Sequence, residues 1–351
     1  MPFYKDLVIA SPIETAMDRL KKEDRIRIIQ GLISLRDGFA KEKIPERSQN
    51  ESLLLATWNI REFGPKNKGG ERLLDTYFYI AEIIAAFDLV AVQEVRDDLS
   101  AINQVLRILG SDWQCVFTDV SDSKGGGNME RMAFVFDTRK VKLSGLTGEI
   151  VLPPKSVQFS RTPFMCGFKS GWTDFVLATV HIYYGDSVAE DPRRLQEIID
   201  VAGFIKKRSE EKTASTPNWI VLGDFNIFKR SDATMKALTD AGFKVPAALT
   251  KDEIPGSNAD KNKFYDQIAL KVDDNRFRSK DRAGIFDFFQ YVFKESESEI
   301  YKPFISGTLN YKNWKTFQMS DHLPMWVEIK IDFSTEYLKQ KLLENFGVAS
   351  A

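Results

Sequence analysis

The sequence predicts an α/β protein with a helical N-terminal extension. Three observations carry that expectation. Short apolar runs rich in Leu, Val, Ile and Phe recur between residues 53 and 331, as buried strands require. Stretches with apolar residues at helical spacing lie between several of them. Residues 1–50 contain helical spacing without any such run.

Within the extension, Ser11-Pro12-Ile13-Glu14 has the spacing of a capping box with proline in the first helical position, and Ile13, Met17 and Leu20 continue the stripe. A second helix is expected over about 22–39, through Ile26, Ile28, Ile29, Leu32, Ile33 and Leu35. The polar stretch 42–50 with Pro45 reads as a linker, so residues 1–50 form one unit and 51–351 the main domain. We expect the extension to pack on the main body; its helices are also a possible contact for a protein partner.

The strands expected next are LLLATWNI (53–60), LVAVQEV (89–95), MAFVFDT (132–138), FVLATVHI (175–182), WIVLGDFN (219–226), FYDQIAL (264–270) and MWVEIKI (325–331). Helices are expected over 71–87, 99–109, 191–207 with Pro192 at its start, 233–241 stopped by Gly242, and 335–346 capped by Ser334 and ended by Gly347. KKRSEEKTAS (206–215) reads as a charged, solvated loop.

Composition bounds the function. The 351 residues include 49 Lys+Arg against 50 Asp+Glu and are 43% hydrophobic, which excludes a disordered or fibrous chain. A net charge of −1 excludes a strongly basic protein that coats nucleic acid, but leaves room for a local basic groove. Cys115 and Cys166 cannot make a disulfide framework, and no zinc spacing exists. No stretch looks like a signal peptide or approaches the ~20 apolar residues of a membrane span, so a soluble, cytoplasmic protein with no membrane contact is expected.

Several apolar runs end in, or lead into, a residue able to bind a cation or move a proton: Asn59, Glu94, His181, Asp224 with Asn226, Asp266, and Asp321 with His322. One such residue is usually a cap or a surface charge. A set of them at different strand ends suggests one polar pocket at the rim of a sheet, since each would be costly alone among apolar neighbours. His181 and His322 are the only histidines of the chain. Oxygen ligands without thiolate suit a hard cation such as Mg²⁺ or Mn²⁺. Such an ion with carboxylates and imidazoles suits phosphate-ester hydrolysis. No P-loop and no GxSxG is present, which disfavours Walker-type nucleotide hydrolysis and serine acyl transfer.

The order TWNIREFG, VQEVRD, TVHI, LGDFN, YDQI and SDHLP resembles the endonuclease/exonuclease/phosphatase superfamily of metal-dependent phosphoesterases. NIREFG (59–64), QEVRD (93–97), ERMAFVFDTRKV (130–141), FSRTP (159–163), FDFF (286–289) and SDHLP (320–324) bring it nearest to deoxyribonuclease I-like nucleases. The resemblance covers about residues 53–331. It implies a four-layer α/β sandwich, two packed sheets with helices outside. It implies that Asn59, Glu94 and Asp321 surround a Mg²⁺, and that Asp224 and Asn226 orient water and phosphate or hold a second ion. His322 would pair with Asp266 and His181 with Glu130. Arg96 and Arg161 match DNA-contacting arginines. Where the nuclease has a tyrosine before the acidic partner of its histidine, this chain has Asn128 in a glycine-rich loop, SKGGGNME (123–130).

The leading expectation is therefore a Mg²⁺-dependent endonuclease with DNA as substrate. Its rivals are a phosphatase of inositol phosphates, a sphingomyelinase, an enzyme repairing DNA ends or abasic sites, and a binding module with a dead site. The basic stretch DDNRFRSKDR (273–282) reads either as a solvated loop or as an edge that tracks phosphates.

Overall fold

Side-chain alternation along the first long strand sets the layering. In β1 (Ser52–Phe63), Leu54, Ala56, Trp58 and Ile60 enter one apolar cluster while Leu53 and Leu55 enter another. A strand buried on both faces needs a layer on each side. In the computed structural model, which describes residues 2–7, 22–121, 126–272, 277–305 and 307–347, those layers are helices on one side and a second sheet on the other.

The larger sheet has the order β12 (Arg278–Ile285), β13 (Met325–Lys330), β1, β4 (Leu89–Arg96), β6 (Glu130–Asp137), β5 (Trp113–Phe117). The smaller has the order β11 (Asp266–Lys271), β10 (Trp219–Asp224), β9 (Thr173–His181), β8 (Phe164–Ser170), β7 (Lys142–Glu149). β1 runs parallel to β4 and β9 parallel to β10; the other neighbours are antiparallel. β2 (Lys66–Asn67) and β3 (Gly70–Glu71) make a small ribbon. On the outer face of the larger sheet lie α1 (Lys22–Lys41), α2 (Leu74–Ala85) and α3 (Ser100–Leu109), with α7 (Ser298–Tyr301) and α8 (Tyr311–Gln318) adding Tyr301 and Trp314 to the same core. α4 (Pro192–Glu210) and α5 (Ala233–Asp240) cover the smaller sheet. α6 (Ala247–Thr250) and α9 (Ser334–Phe346) are the remaining α-helices among the described residues. This is the four-layer α/β sandwich that the sequence implied.

Local chemistry explains most boundaries. The Asp191 carboxylate accepts from the N–H groups of Arg193 and Arg194, and Pro192 opens α4. Three expectations need correction. α4 continues to Glu210, so the first part of 206–215 is helical rather than loop; Ile205 and Ser209 are buried on its inner face. α2 begins at Leu74 because Glu71 is paired with Lys66 in the ribbon. Ser334 is the first residue of α9 rather than its cap, and its N–H donates to the Asp332 carboxylate (2.9 Å).

The helix expected over Ser11–Leu20 lies outside the described residues. α1 packs on the body, with Ile28, Leu32 and Leu35 in the same core as Trp58 and Ile60. Ile26, Ile29 and Ile33 of the same helix face outward. Arg27 ties α1 to α2 through both oxygens of Asp75 (2.7 and 3.0 Å), with its guanidinium over the Tyr301 ring. Among the described residues no helix is long and apolar enough to cross a membrane.

Candidate active site

The site is where the core between the sheets reaches solvent. Side chains alternate along a strand, so residues of one parity share a face. The inter-sheet parity is Leu53 and Leu55 on β1, Phe175 and Leu177 on β9, Ile220 and Leu222 on β10, and Ile268 and Leu270 on β11. Continued to one end of each strand, it reaches Asn59, His181, Asp224 and Asp266. Register does the rest: Asp224 pairs with His181 on one side and with Asp266 on the other. The strands approach so closely here that a Cβ on Gly223 (φ 135°) would lie 2.2 Å from the Val180 carbonyl oxygen.

Glu94 needs a different device. Against β6, Val92 pairs with Ala133 but Val95 with Arg131, so β4 carries one extra residue. Such a bulge re-aims a side chain, and Glu94 sits in it with φ 62°. His322 arrives on the loop before β13. Ser320 Oγ accepts from the N–H groups of Arg61 (3.2 Å) and His322 (2.9 Å) and donates to the Asn59 carbonyl (2.6 Å). Trp58 Nε1 donates to the His322 carbonyl (2.9 Å), so the loop is clamped to β1.

These groups surround a cavity of about 1030 Å³. Glu94, Arg96, Asn128, Glu130, Arg161, His181, Asp224, Asn226, Asp321 and His322 line it. Asn59 and Asp266 stand behind the lining, fully buried, and touch it by hydrogen bonds: Asn59 Nδ2 donates to Asp224 Oδ2 (3.0 Å), and Asp266 Oδ2 lies 2.8 Å from His322 Nδ1. Both imidazoles face one carboxylate. His181 Nε2 is 3.6 Å and His322 Nε2 3.7 Å from Asp224 Oδ2. His181 Nδ1 lies 3.0 Å from Glu130 Oε2, which also accepts from Arg161 Nε (2.7 Å). Asn226 presents its N–H to Asp224 Oδ1 (2.8 Å).

Charge is distributed unevenly. Burial pushes the Glu130 carboxyl up, but His181 and Arg161 outweigh it and hold the group at about 2. Asp224 is likewise buried, yet His322 and His181 bring it below the usual carboxylate range. Burial works against a charged His322, but Asp266 and Asp224 together raise its imidazole well above the ordinary value. Glu94 goes the other way: burial and the nearby Glu130 raise it, with His181 opposing and Asp321 adding to the rise.

A half-buried acid repelled by other acids invites a cation. Among the described His, Cys, Asp and Glu side chains, ligand atoms of Glu94, Glu130 and His181 lie within 4.8 Å of one another. Asn59 Oδ1 is buried and accepts no hydrogen bond. The donor set is mostly oxygen and fits a hard divalent ion. Asp321 lines the same cavity, 3.4 Å from Arg61, and adds to the negative charge felt by Glu94.

The arginines are engaged within the protein. Arg161 is buried against Glu130, and Arg96 donates to the Asn128 carbonyl (2.7 Å). Asn128 and Met129 are exposed at the rim, both at positive φ (59° and 57°). Residues 122–125 of the glycine-rich loop and 273–276 of the basic stretch lie outside the described residues. The rest of the basic stretch is not a loop: it enters β12, Phe277 is buried, Lys280 and Arg282 pair with Glu328, and none of these lines the cavity.

Among the lining residues not singled out from the sequence are Arg61, Tyr184, Tyr265 and Lys312. Arg61 and Tyr265 stand inside the motifs NIREFG and YDQI, which was the available signal. Tyr184 and Lys312 lie in no motif.

The profile of the Endonuclease/Exonuclease/phosphatase family matches residues 56–251. A deoxyribonuclease of a Thioalkalivibrio species is 31% identical over 54% of this chain and 50% of its own length. Deoxyribonuclease-1 of Equus caballus is 30% identical over 50% of this chain and 61% of its own. The chain thus spans about half to three-fifths of the length of these curated relatives. A solved endonuclease/exonuclease/phosphatase from Bacteroides vulgatus shares the fold at a TM-score of 0.52 and 14% identity, covering 80% of this chain and 99% of that one. The matched segment carries β1, β4, β6, β9 and β10, the strands that deliver Asn59, Glu94, Glu130, His181 and Asp224. The chain belongs to the Endonuclease/Exonuclease/phosphatase family.

Proposed function

We propose that this chain is a divalent-cation-dependent phosphodiesterase that cuts DNA internally, with Mg²⁺ as the cation and Mn²⁺ as a substitute. The observation that carries the reading is the pair of imidazoles converging on Asp224 Oδ2 beside the Glu94, Glu130 and His181 cluster. Each residue then has a chemical task. Asp224, kept ionised between His181 and His322, orients and deprotonates the attacking water, with the Asn226 N–H fixing its carboxylate. His322, kept charged by Asp266, donates to a phosphoryl oxygen or to the leaving oxygen. Glu130 fixes the orientation of His181, which faces the same phosphate. A cation held by Glu94 and its neighbours, with Asn59 Oδ1 available, would stabilise negative charge on the phosphate.

The similarity to proteins named deoxyribonuclease favours DNA as the substrate. Residues 51–351 are the catalytic unit in this reading, acting without a membrane in the cytoplasm, and the N-terminal helix α1 buttresses the larger sheet.

Incubation with supercoiled plasmid, linear duplex, single strands, RNA and inositol phosphates, each with Mg²⁺ and with EDTA, tests the reading. Mg²⁺-dependent nicking of plasmid that leaves 5′-phosphate ends is the expected result. Rapid phosphate release from inositol phosphates with plasmid untouched would replace the nuclease by a phosphatase.

A further inference from the structure

The cavity wall beside His322 is aromatic. The Tyr265 ring lies 5.5 Å from the His322 ring at 28°, and Tyr184 meets Tyr265 edge-on at 6.2 Å. On its other side Tyr184 stacks on the buried Phe228 (6.3 Å, 22°). Phe228 is itself covered by the Lys263 ammonium (4.2 Å) and the Arg194 guanidinium (4.9 Å). Ser187 Oγ donates to the Tyr184 hydroxyl (2.9 Å). The Tyr184 ring is therefore held from behind and at its tip, yet the residue remains 39% exposed and lines the cavity. None of the proton transfers assigned to His181, Asp224 or His322 uses it. The described rim residues Asn128 and Met129 offer no ring.

An aromatic face held rigid beside a phosphate-handling site is a platform for a flat ring. We propose that Tyr184 stacks a nucleobase of the bound strand next to the scissile phosphate, and that the site therefore favours strands with bases free to unstack over intact duplex. This inference rests on the nuclease reading. In a duplex both faces of each base are covered by neighbours, so the base must leave the stack before Tyr184 can cover it. In a single strand or a frayed end that cost is small. Stacking is tolerant of sequence because every base has a π-face, so no base preference accompanies it.

The test is a cycle of two changes measured with Mg²⁺. Wild type, Tyr184→Ala and Tyr184→Phe act on a single-stranded oligonucleotide and on the same strand with abasic residues around the cut site. Loss of one base stack is expected to raise KM about tenfold while kcat changes little. Tyr184→Ala should show that loss on the normal strand and no further loss on the abasic one, and Tyr184→Phe, which keeps the ring, should restore the affinity. Cutting of the normal strand by Tyr184→Ala with unchanged KM would overturn the inference. So would losses that simply add, because the ring would then act on something other than the base. If wild type cuts no oligonucleotide or plasmid at all, the nuclease reading fails and this inference falls with it.

Discussion

Asp224 is the residue on which the site turns, because two imidazoles and the Asn59 amide all point at one of its oxygens. Removing either imidazole should lower kcat by at least ~10²-fold, the scale of a lost acid–base or electrostatic contribution. Steady-state turnover of His181→Ala and His322→Ala checks this, with far-UV circular dichroism to show an unchanged fold. Glu94 supplies the converse prediction. Burial and Glu130 raise its carboxyl, so ionising it costs stability in the metal-free protein. Glu94→Gln removes that cost and should raise the melting temperature in EDTA. It should also abolish the rise in melting temperature that Mg²⁺ gives wild type, since a ligand stabilises only the state that binds it. A Mg²⁺ shift as large in the variant as in wild type would remove Glu94 from the cation site. Most of these groups were legible in the sequence because a polar residue ending an apolar run has few innocent explanations. The grouping of Glu94 with Glu130 and His181 was not, because it depends on a bulge in β4 that no periodicity announces. Tyr184 was not legible either, being one loop tyrosine among several.

At the scale of elements, the strands read from sequence are those buried on both faces, while most of those missed lie at sheet edges. β5, β7 and β12 are edge strands; β7 is exposed along most of its length and β12 is largely half-buried or exposed, so they show no continuous apolar run. The interior strand β8 was hidden by Cys166, Gly167 and Lys169 breaking its run. The charges of β12 now have a plain role: Arg278, Lys280 and Arg282 on an edge discourage pairing with another chain. Helix α1 shows how tightly the extension is joined to the body. A Cβ on Gly31 would fall 2.2 Å from the Tyr79 hydroxyl oxygen. Replacing an exposed helical glycine by alanine normally stabilises by about 1 kcal/mol. Here Gly31→Ala should instead destabilise by about 1–3 kcal/mol, as overpacking does, and the shift of the denaturation midpoint gives the sign directly. The linker after α1 is pinned by charge. Arg47 reaches Asp88 (2.6 Å) and Asp137 (2.5 Å), and Arg139 also reaches Asp137. Burial opposes ionisation of Asp137, but Arg139 and Arg47 overcome it and hold the carboxyl well below its usual range. An acid so lowered stabilises the fold above the ordinary value of about 3.9 and loses that contribution as pH falls toward its folded value. Asp137→Asn should therefore lower stability at pH 7 and flatten the loss of stability below about pH 4; an unchanged pH profile would show that the arginines do not hold this carboxylate.

For the whole molecule, a net charge of −1 leaves no global field to draw DNA to the site, so in the proposed reading binding depends on a few local cations. Arg96, at the rim beside Asn128, is one. If it contacts a phosphate, Arg96→Ala should reduce the slope of log K against log[salt] by about 0.9 on duplex DNA and weaken all sequences alike. Affinities measured in Ca²⁺ at several salt concentrations test it, and an identical slope would move Arg96 off the DNA. The two sheets, their register and the loop clamped by Ser320 all serve one arrangement at the mouth of the core between them, which in the proposed reading carries out cation-assisted phosphodiester cleavage. The most direct test is the initial rate of plasmid nicking as Mg²⁺ is titrated, for wild type and Glu94→Gln side by side. Nicking by wild type that rises to saturation, vanishes in EDTA and is absent from Glu94→Gln at every Mg²⁺ concentration is the predicted result. Undiminished nicking in excess EDTA, or by Glu94→Gln, would contradict it.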